Sequence, residues 1–190
     1  MLIALAEDPK RFGVAKPSIP SVIGNAAATI DLTKATWHIV AEDWQPANTY
    51  VTTFGPAASE TLKTKVEIDV TALRAWPEIP ELQNVSGLAT YTTSFDWPNK
   101  AEGAILNLGE VFDSFTLKIN DQAVPIDQLS AEAGIGPYLK VGRNTISVRV
   151  ATTLNNRLAK IDDDVAKRGI VQPYGLVGPV TIKPVPARRR

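Results

Sequence analysis

Residues 106–127, LNLGEVFDSFTLKINDQAVPID, decide how the whole chain is read. The acids and amides here suit an active-site segment, whereas the alternation of apolar and polar residues suits strands joined by a turn. In DSFTLKIND, Phe115, Leu117 and Ile119 fall on one side and Thr116, Lys118 and Asn120 on the other. That is the period of a half-buried strand. Asn120-Asp121 follows at once, and both residue types tolerate the positive φ of a tight turn. The segment reads as a strand, a connection, a second strand and a turn, which makes it scaffold first.

Working outward, the same alternation recurs. TWHIVAEDW at 36–44 sets Trp37, Ile39 and Ala41 on one face. KTKVEIDVT at 63–71 sets Val66, Ile68 and Val70 against Lys65, Glu67 and Asp69, a strand with one solvated face. LATYTTSFDW at 88–97 sets Tyr91, Thr93, Phe95 and Trp97 against Thr90, Thr92, Ser94 and Asp96, and GRNTISVRV at 142–150 turns Ile146, Val148 and Val150 inward. Phe95, Phe115, Leu117, Ile119, Ile146, Val148 and Val150 are therefore expected to share one core. One stretch breaks the β pattern: TLNNRLAKIDDDVAKRG at 153–169 spaces Leu158, Ile161 and Val165 as a short helix does, with Gly169 as its C-cap. Many short strands and one inserted helix predict an all-β jelly-roll sandwich over residues 29–184. Residues 1–28, broken by Pro17 and Pro20, read as a lead-in, and 185–190 as a basic tail.

Composition narrows the function. Twenty basic residues balance twenty acidic ones, so the chain has no net charge to attract nucleic acid or an anionic membrane. There is no cysteine and one histidine, His38. Thiolate chemistry, cysteine zinc sites and a Ser-His-Asp triad are thereby excluded or nearly so, and His38 reads as a sheet residue. No apolar run approaches the ~20 residues that span a bilayer. The start, MLIALAEDPK, lacks the basic leader and apolar length of a signal peptide. Asp162, Asp163 and Asp164 are consecutive and fan apart, which suits capping or solvation. Glu110 and Asp113 read as loop and turn residues. A structural calcium ion is the one cofactor such loop carboxylates could satisfy, although no DxDxDG spacing exists. Asn84-Val85-Ser86 is an N-glycosylation sequon. Outside the clear strands, Trp44, Tyr50, Tyr138 and Tyr174 stand beside turn-forming residues, where an exposed ring could stack on a sugar.

Four stretches in order, SGLATYTTSFDWP, GAILNLGEVFDSFTLKIND, VGRNTISVRVATTLNNR and YGLVGPVTI, carry a resemblance. Together they resemble the galactose-binding-like β-sandwich of the glycoside hydrolase family 2 sugar-binding type, as found near the C-terminus of large secreted α-L-rhamnosidase-like proteins. Gly87, Tyr91 and Phe95 match its first strand. Leu108, Gly109, Val111, Asp113, Ile119 and Asn120 match the next pair, with Asp121 in place of the usual glycine. Gly142, Asn144, Ile146, Val148, Val150, Leu154, Asn156 and Arg157 match the third, and Gly175, Leu176, Gly178, Pro179 and Val180 the last. The match spans about residues 84–184.

The resemblance implies a secreted, non-catalytic accessory module, with the catalytic carboxylates on a separate barrel domain. Its implied partners are that catalytic domain and a plant or microbial polysaccharide, rhamnose- or galactose-containing, with neither nucleic acid nor membrane. A purely structural domain packed on the barrel, without its own ligand, is the alternative. Any sugar is expected among loops, with Trp44 or Tyr174 stacking and Asp127, Asn156 or Arg157 hydrogen-bonding. Arg157 has two readings: a donor to vicinal hydroxyls, or an anchor tying the helix to a loop carboxylate.

Overall fold

The computed structural model describes residues 28–98 and 103–185. All of the expected lead-in except Ala28, and the basic tail beyond Val185, lie outside these residues. Twelve strands are described: β1 Ile30–Asp31, β2 Trp37–Thr52, β3 Gly55–Val70, β4 Gly87–Trp97, β5 Gly103–Asn107, β6 Glu110–Phe112, β7 Ser114–Ile119, β8 Gln122–Val124, β9 Glu132–Gly134, β10 Gly142–Ala151, β11 Gly175–Gly178 and β12 Thr181–Val185. A six-stranded sheet, β3-β2-β4-β10-β7-β8, faces a four-stranded one, β1-β12-β5-β9, and a β11-β6 pair completes an all-β sandwich.

Register makes the core. One row crosses all six strands of the larger sheet: Ile68, Ile39, Tyr91, Val148, Leu117 and Val124. Because side chains alternate, the flanking residues on each strand point to the opposite, outer face. The seven residues expected to share a core are all buried in a single cluster with Leu106 and Ile182 of the smaller sheet. The Asn120-Asp121 turn has positive φ at both residues (48° and 65°).

Asn120 does more than turn the chain. Its amide donates to Tyr138 O (2.9 Å) and to Asn144 Oδ1 (2.8 Å), and its Oδ1 accepts from Thr145 N (3.1 Å). Asn144, fully buried, also accepts from Lys140 N (2.9 Å) and donates to the carbonyls of Lys140 and Gly142 (2.7 Å each). A buried amide with every group bonded fixes a turn in a way no apolar residue could. At Gly109 (φ +67°) an added Cβ would lie 2.6 Å from Pro179 N, so this matched glycine lets two chain segments touch.

The first hairpin departs from expectation. Sequence places strands at 36–44 and 63–71, but β2 and β3 continue to meet each other for nine residues past β4, as far as Thr52 and Gly55. Pro46 is tolerated there because β2 has a neighbour on one side only. Thr52 Oγ1 donates to Gly55 O (2.7 Å) and closes the tip. The result is an arm projecting beyond the sheet, with Tyr50, Val51 and Phe54 exposed, Phe54 wholly so (100%).

Candidate functional site

The segment after β10 builds the candidate site. It forms not one helix but two, α1 Asn155–Ile161 and α2 Asp163–Ala166. They break at Asp162, which is extended (φ −131°) and whose carboxylate accepts from Asp164 N (2.8 Å) and Val165 N (3.2 Å). This N-cap competes successfully with continued helix. The C-cap of α2 is Lys167 rather than the expected Gly169, which follows two residues later with φ +67°.

Asn156 and Arg157 are neighbours on α1 and so project about 100° apart. Asn156 is buried: Nδ2 donates to Gln172 O (2.8 Å) and Oδ1 accepts from Gln172 N (2.9 Å). The side chain thus imitates a strand partner for the segment leading into β11. Arg157 Nη2 pairs with Asp43, a carboxylate only 4% exposed. Asp43 also accepts from Ser86 N (3.2 Å) and Gln45 Nε2 (2.6 Å). The anchoring reading of Arg157 holds, with one correction: its partner lies on strand β2, not on a loop. The Asn-Arg pair fastens α1 to the segment before β11 and to β2, engaging the Asn156 amide and Arg157 Nη2, while the buried Arg157 Nε has no hydrogen-bond partner among the described residues.

Tyr174 is corrected as well. It is fully buried (0% exposed), so it has no face for a sugar. Its Oη meets Thr153 Oγ1 (2.8 Å) and accepts from Asn156 N (3.2 Å), while its ring stands edge-on to Trp76 (centroids 5.9 Å, 86°). Trp76 Nε1 donates to Tyr91, whose hydroxyl is pushed up to about 12 by burial, which outweighs that bond. Beside them Gly175 (φ +95°) leaves room for both rings; a Cβ there would overlap Trp76 Nε1 and Tyr91 Oη. Asp127 lies on the β8–β9 loop, where its carboxylate accepts from Leu129 N (2.8 Å) and is held below its ordinary pKa by that bond.

Trp44 belongs to β2 rather than to a loop. It is half-buried, with Lys63 Nζ 4.3 Å from its ring centroid. It lines a recess of about 270 Å³ with Gln45, Glu60, Arg157 and the α1 residues Leu158 and Ile161. Of the five residues predicted for binding, this recess gathers Trp44 and Arg157. Asn156 lines a different depression, Tyr174 lies inside, and Asp127 is on another loop. Sequence reading missed Asp43, whose role depends on Arg157 reaching β2, and Gln45 and Glu60, whose role depends on the arm. Chemically the recess offers an indole, an amide, one accessible carboxylate and an aliphatic wall, a composition suited to a sugar ring. Asp113, the matched acid of the β6–β7 bend, has its carboxyl raised by burial, against a bond from Thr153 N–H. No group of three or more His, Cys, Asp or Glu side chains able to hold a metal ion occurs among the described residues.

Neither a protein-family model nor a curated protein matches the sequence. Solved structures do. A rhamnosidase from Novosphingobium sp. PP1Y is 25% identical with a TM-score of 0.60, over 84% of this chain and 15% of that one. A beta-D-glucuronidase of Dictyoglomus thermophilum (16%, TM-score 0.55) matches over 86% of this chain and 29% of its own. A GH2 beta-galacturonidase from Eisenbergiella tayi (14%, TM-score 0.53) matches over 83% and 24%. The last two speak to fold alone. This chain has the fold of one β-sandwich portion of glycosidase chains several times longer.

Proposed function

We propose that the chain is a non-catalytic accessory domain of a secreted, α-L-rhamnosidase-like glycoside hydrolase, and that it binds a plant or microbial polysaccharide, rhamnose- or galactose-containing, in the Trp44 recess. The observation that carries this reading is the recess itself: an indole face, Gln45 and Glu60 beside an apolar helix wall. Glycoside hydrolysis asks for two carboxylates flanking one bond. Among the described residues Glu60 is the only acid lining the recess, and Asp43 is held by Arg157. The alignment with 15% of the rhamnosidase supports a domain whose chemistry is supplied elsewhere.

Titration with rhamnose- and galactose-containing oligosaccharides, followed by tryptophan fluorescence and backbone NMR, tests it. Quenching and shifts confined to β2 and α1, abolished by Trp44→Ala, are expected. Shifts elsewhere would move the site, and no response to any of these sugars would leave the structural reading. That alternative, a domain packed on a catalytic barrel, is favoured by a separate observation. Tyr50, Val51 and Phe54 on the arm, Leu154 at the N-cap of α1, and Leu158 and Ile161 on α1 are exposed apolar side chains of the sort a neighbouring domain covers.

A further inference from the structure

The outer face of the six-stranded sheet is asymmetric in charge. Toward β3, acids and bases are paired: His38 lies between Glu67 (3.3 Å) and Asp69 (2.8 Å), Lys65 Nζ meets Glu67 (2.9 Å), and Lys63 Nζ is 4.0 Å from Glu42. Toward β7, Lys118 and Arg149 are exposed and form no ion pair among the described residues. They occupy adjacent rows of neighbouring strands, Arg149 opposite Thr90 and Thr116, Lys118 opposite Ser147. Between the two sides lies an open groove of about 560 Å³ whose floor is made by Val40, Leu88 and Thr90. It runs across five strands, four interstrand steps of about 4.8 Å, or roughly 19 Å. Among the described residues, no aromatic one lines it.

These features select a ligand class. A neutral sugar or a single-stranded nucleic acid would call for a stacking ring, which the groove lacks. Two unpaired cations beside threonine and serine hydroxyls instead suit a flat chain carrying both carboxylates and hydroxyls. We propose that this groove binds a carboxylated polysaccharide laid across the strands, with Lys118 and Arg149 receiving its carboxylates. The proposal rests on the carbohydrate reading above but uses other residues than the Trp44 recess, which it adjoins where Lys63 packs over the Trp44 ring (4.3 Å). Arg149 presents a planar fork suited to a carboxylate, and Lys118 a point charge beside it.

The test is calorimetric titration of the chain with polygalacturonate, with the same polymer fully methyl-esterified, and with poly-L-glutamate. Binding to polygalacturonate is expected, with none to the ester and at least about tenfold weaker binding to polyglutamate. Lys118→Glu/Arg149→Glu should weaken polygalacturonate binding by about tenfold or more, and raising salt toward 1 M should weaken it because the screening length falls to about 3 Å. Lys118→Gln/Arg149→Gln provides a milder variant, and thermal melts confirm that each is folded. Equal binding to polyglutamate would overturn the proposal in favour of an acidic protein surface. An unchanged affinity in a folded variant, or no binding at all, would also overturn it. Trp44-dependent binding of neutral oligosaccharides is read separately: neither Lys118 nor Arg149 lines the Trp44 recess, so Lys118→Glu/Arg149→Glu should leave neutral-sugar affinity within about twofold, and failure of one site does not imply failure of the other.

Discussion

The α1 clamp grips β2 at Asp43, midway along the strand, and the β2–β3 arm is the half that runs on beyond it; the two could hardly be built more differently. At the clamp, Asn156, Arg157, Tyr174 and Gly175 all turn inward and bond or pack against fixed partners. On the arm, Tyr50, Val51 and Phe54 face solvent and, among the described strands, only β3 pairs with this part of β2. Asn156, Arg157 and Gly175, three residues that carry the resemblance, lie at the clamp, and most of the surface still open to a ligand is built by other residues. Motif residues here specify how the sandwich closes; the surfaces that could recognise something are set by positions the motif leaves free.

The comparison breaks most readily at Gly175. Gly175→Ala forces a Cβ into Trp76 and Tyr91 from a left-handed backbone, and should cost roughly 3–5 kcal/mol in urea denaturation. A cost below about 1 kcal/mol would mean the aromatic node is loosely packed. Arg157→Ala leaves Asp43 without its cation and should cost about 2–3 kcal/mol, less than for a fully buried pair because the Arg157 side chain is 16% exposed. Undiminished stability in the same denaturation series would show that the pair does not fasten α1.

Tyr91 sharpens the picture through pH. Its hydroxyl ionises near 10.0 when unfolded and near about 12 in the fold. Stability from this group is therefore complete below pH 10 and is lost as pH rises toward about 12, because the unfolded chain releases the proton first. Tyr91→Phe should flatten the alkaline decline measured by denaturation across that window, in comparison with the unsubstituted chain. The smallest effect belongs to the arm: Phe54→Ser should change stability by under about 0.5 kcal/mol. A large loss there would show that the tip packs on something and is not free.

The strands that build the core were legible because period-two alternation survives burial, as in Phe115, Leu117 and Ile119 of β7 or Ile146, Val148 and Val150 of β10. The arm was not. QPANTYVTTFGPAA carries Pro46, Asn48 and Gly55, all local signals for loops, and its strand character comes from pairing with a partner across the hairpin. Trp44 was misplaced for the same reason. Tyr174 sits between Pro173 and Gly175, which looks like an exposed turn, and only the approach of Trp76 from another part of the chain buries it. Arg157 could be read as an anchor because helix-to-sheet ion pairs need no local pattern, but naming Asp43 required the fold. The groove was half visible: alternation puts Lys118, and Arg149 between Val148 and Val150, on the outward side, while their lack of an ion-pair partner among the described residues is a property of strand order.

Strand β2 is continuous across both regions, and that has a kinetic consequence. From His38 to Asp43 it is flanked by β3 and β4, whereas from Gln45 to Thr52 it is flanked by β3 alone. Amide protons of the first half that bond within the sandwich can exchange with solvent only when the whole domain opens, while those of the second need only the arm to peel apart. One strand should therefore show two exchange regimes, with the boundary near Asp43, where Arg157 holds the strand to α1. The ion pair would then act as a rivet, stopping a split that starts at Phe54 from running into the sandwich.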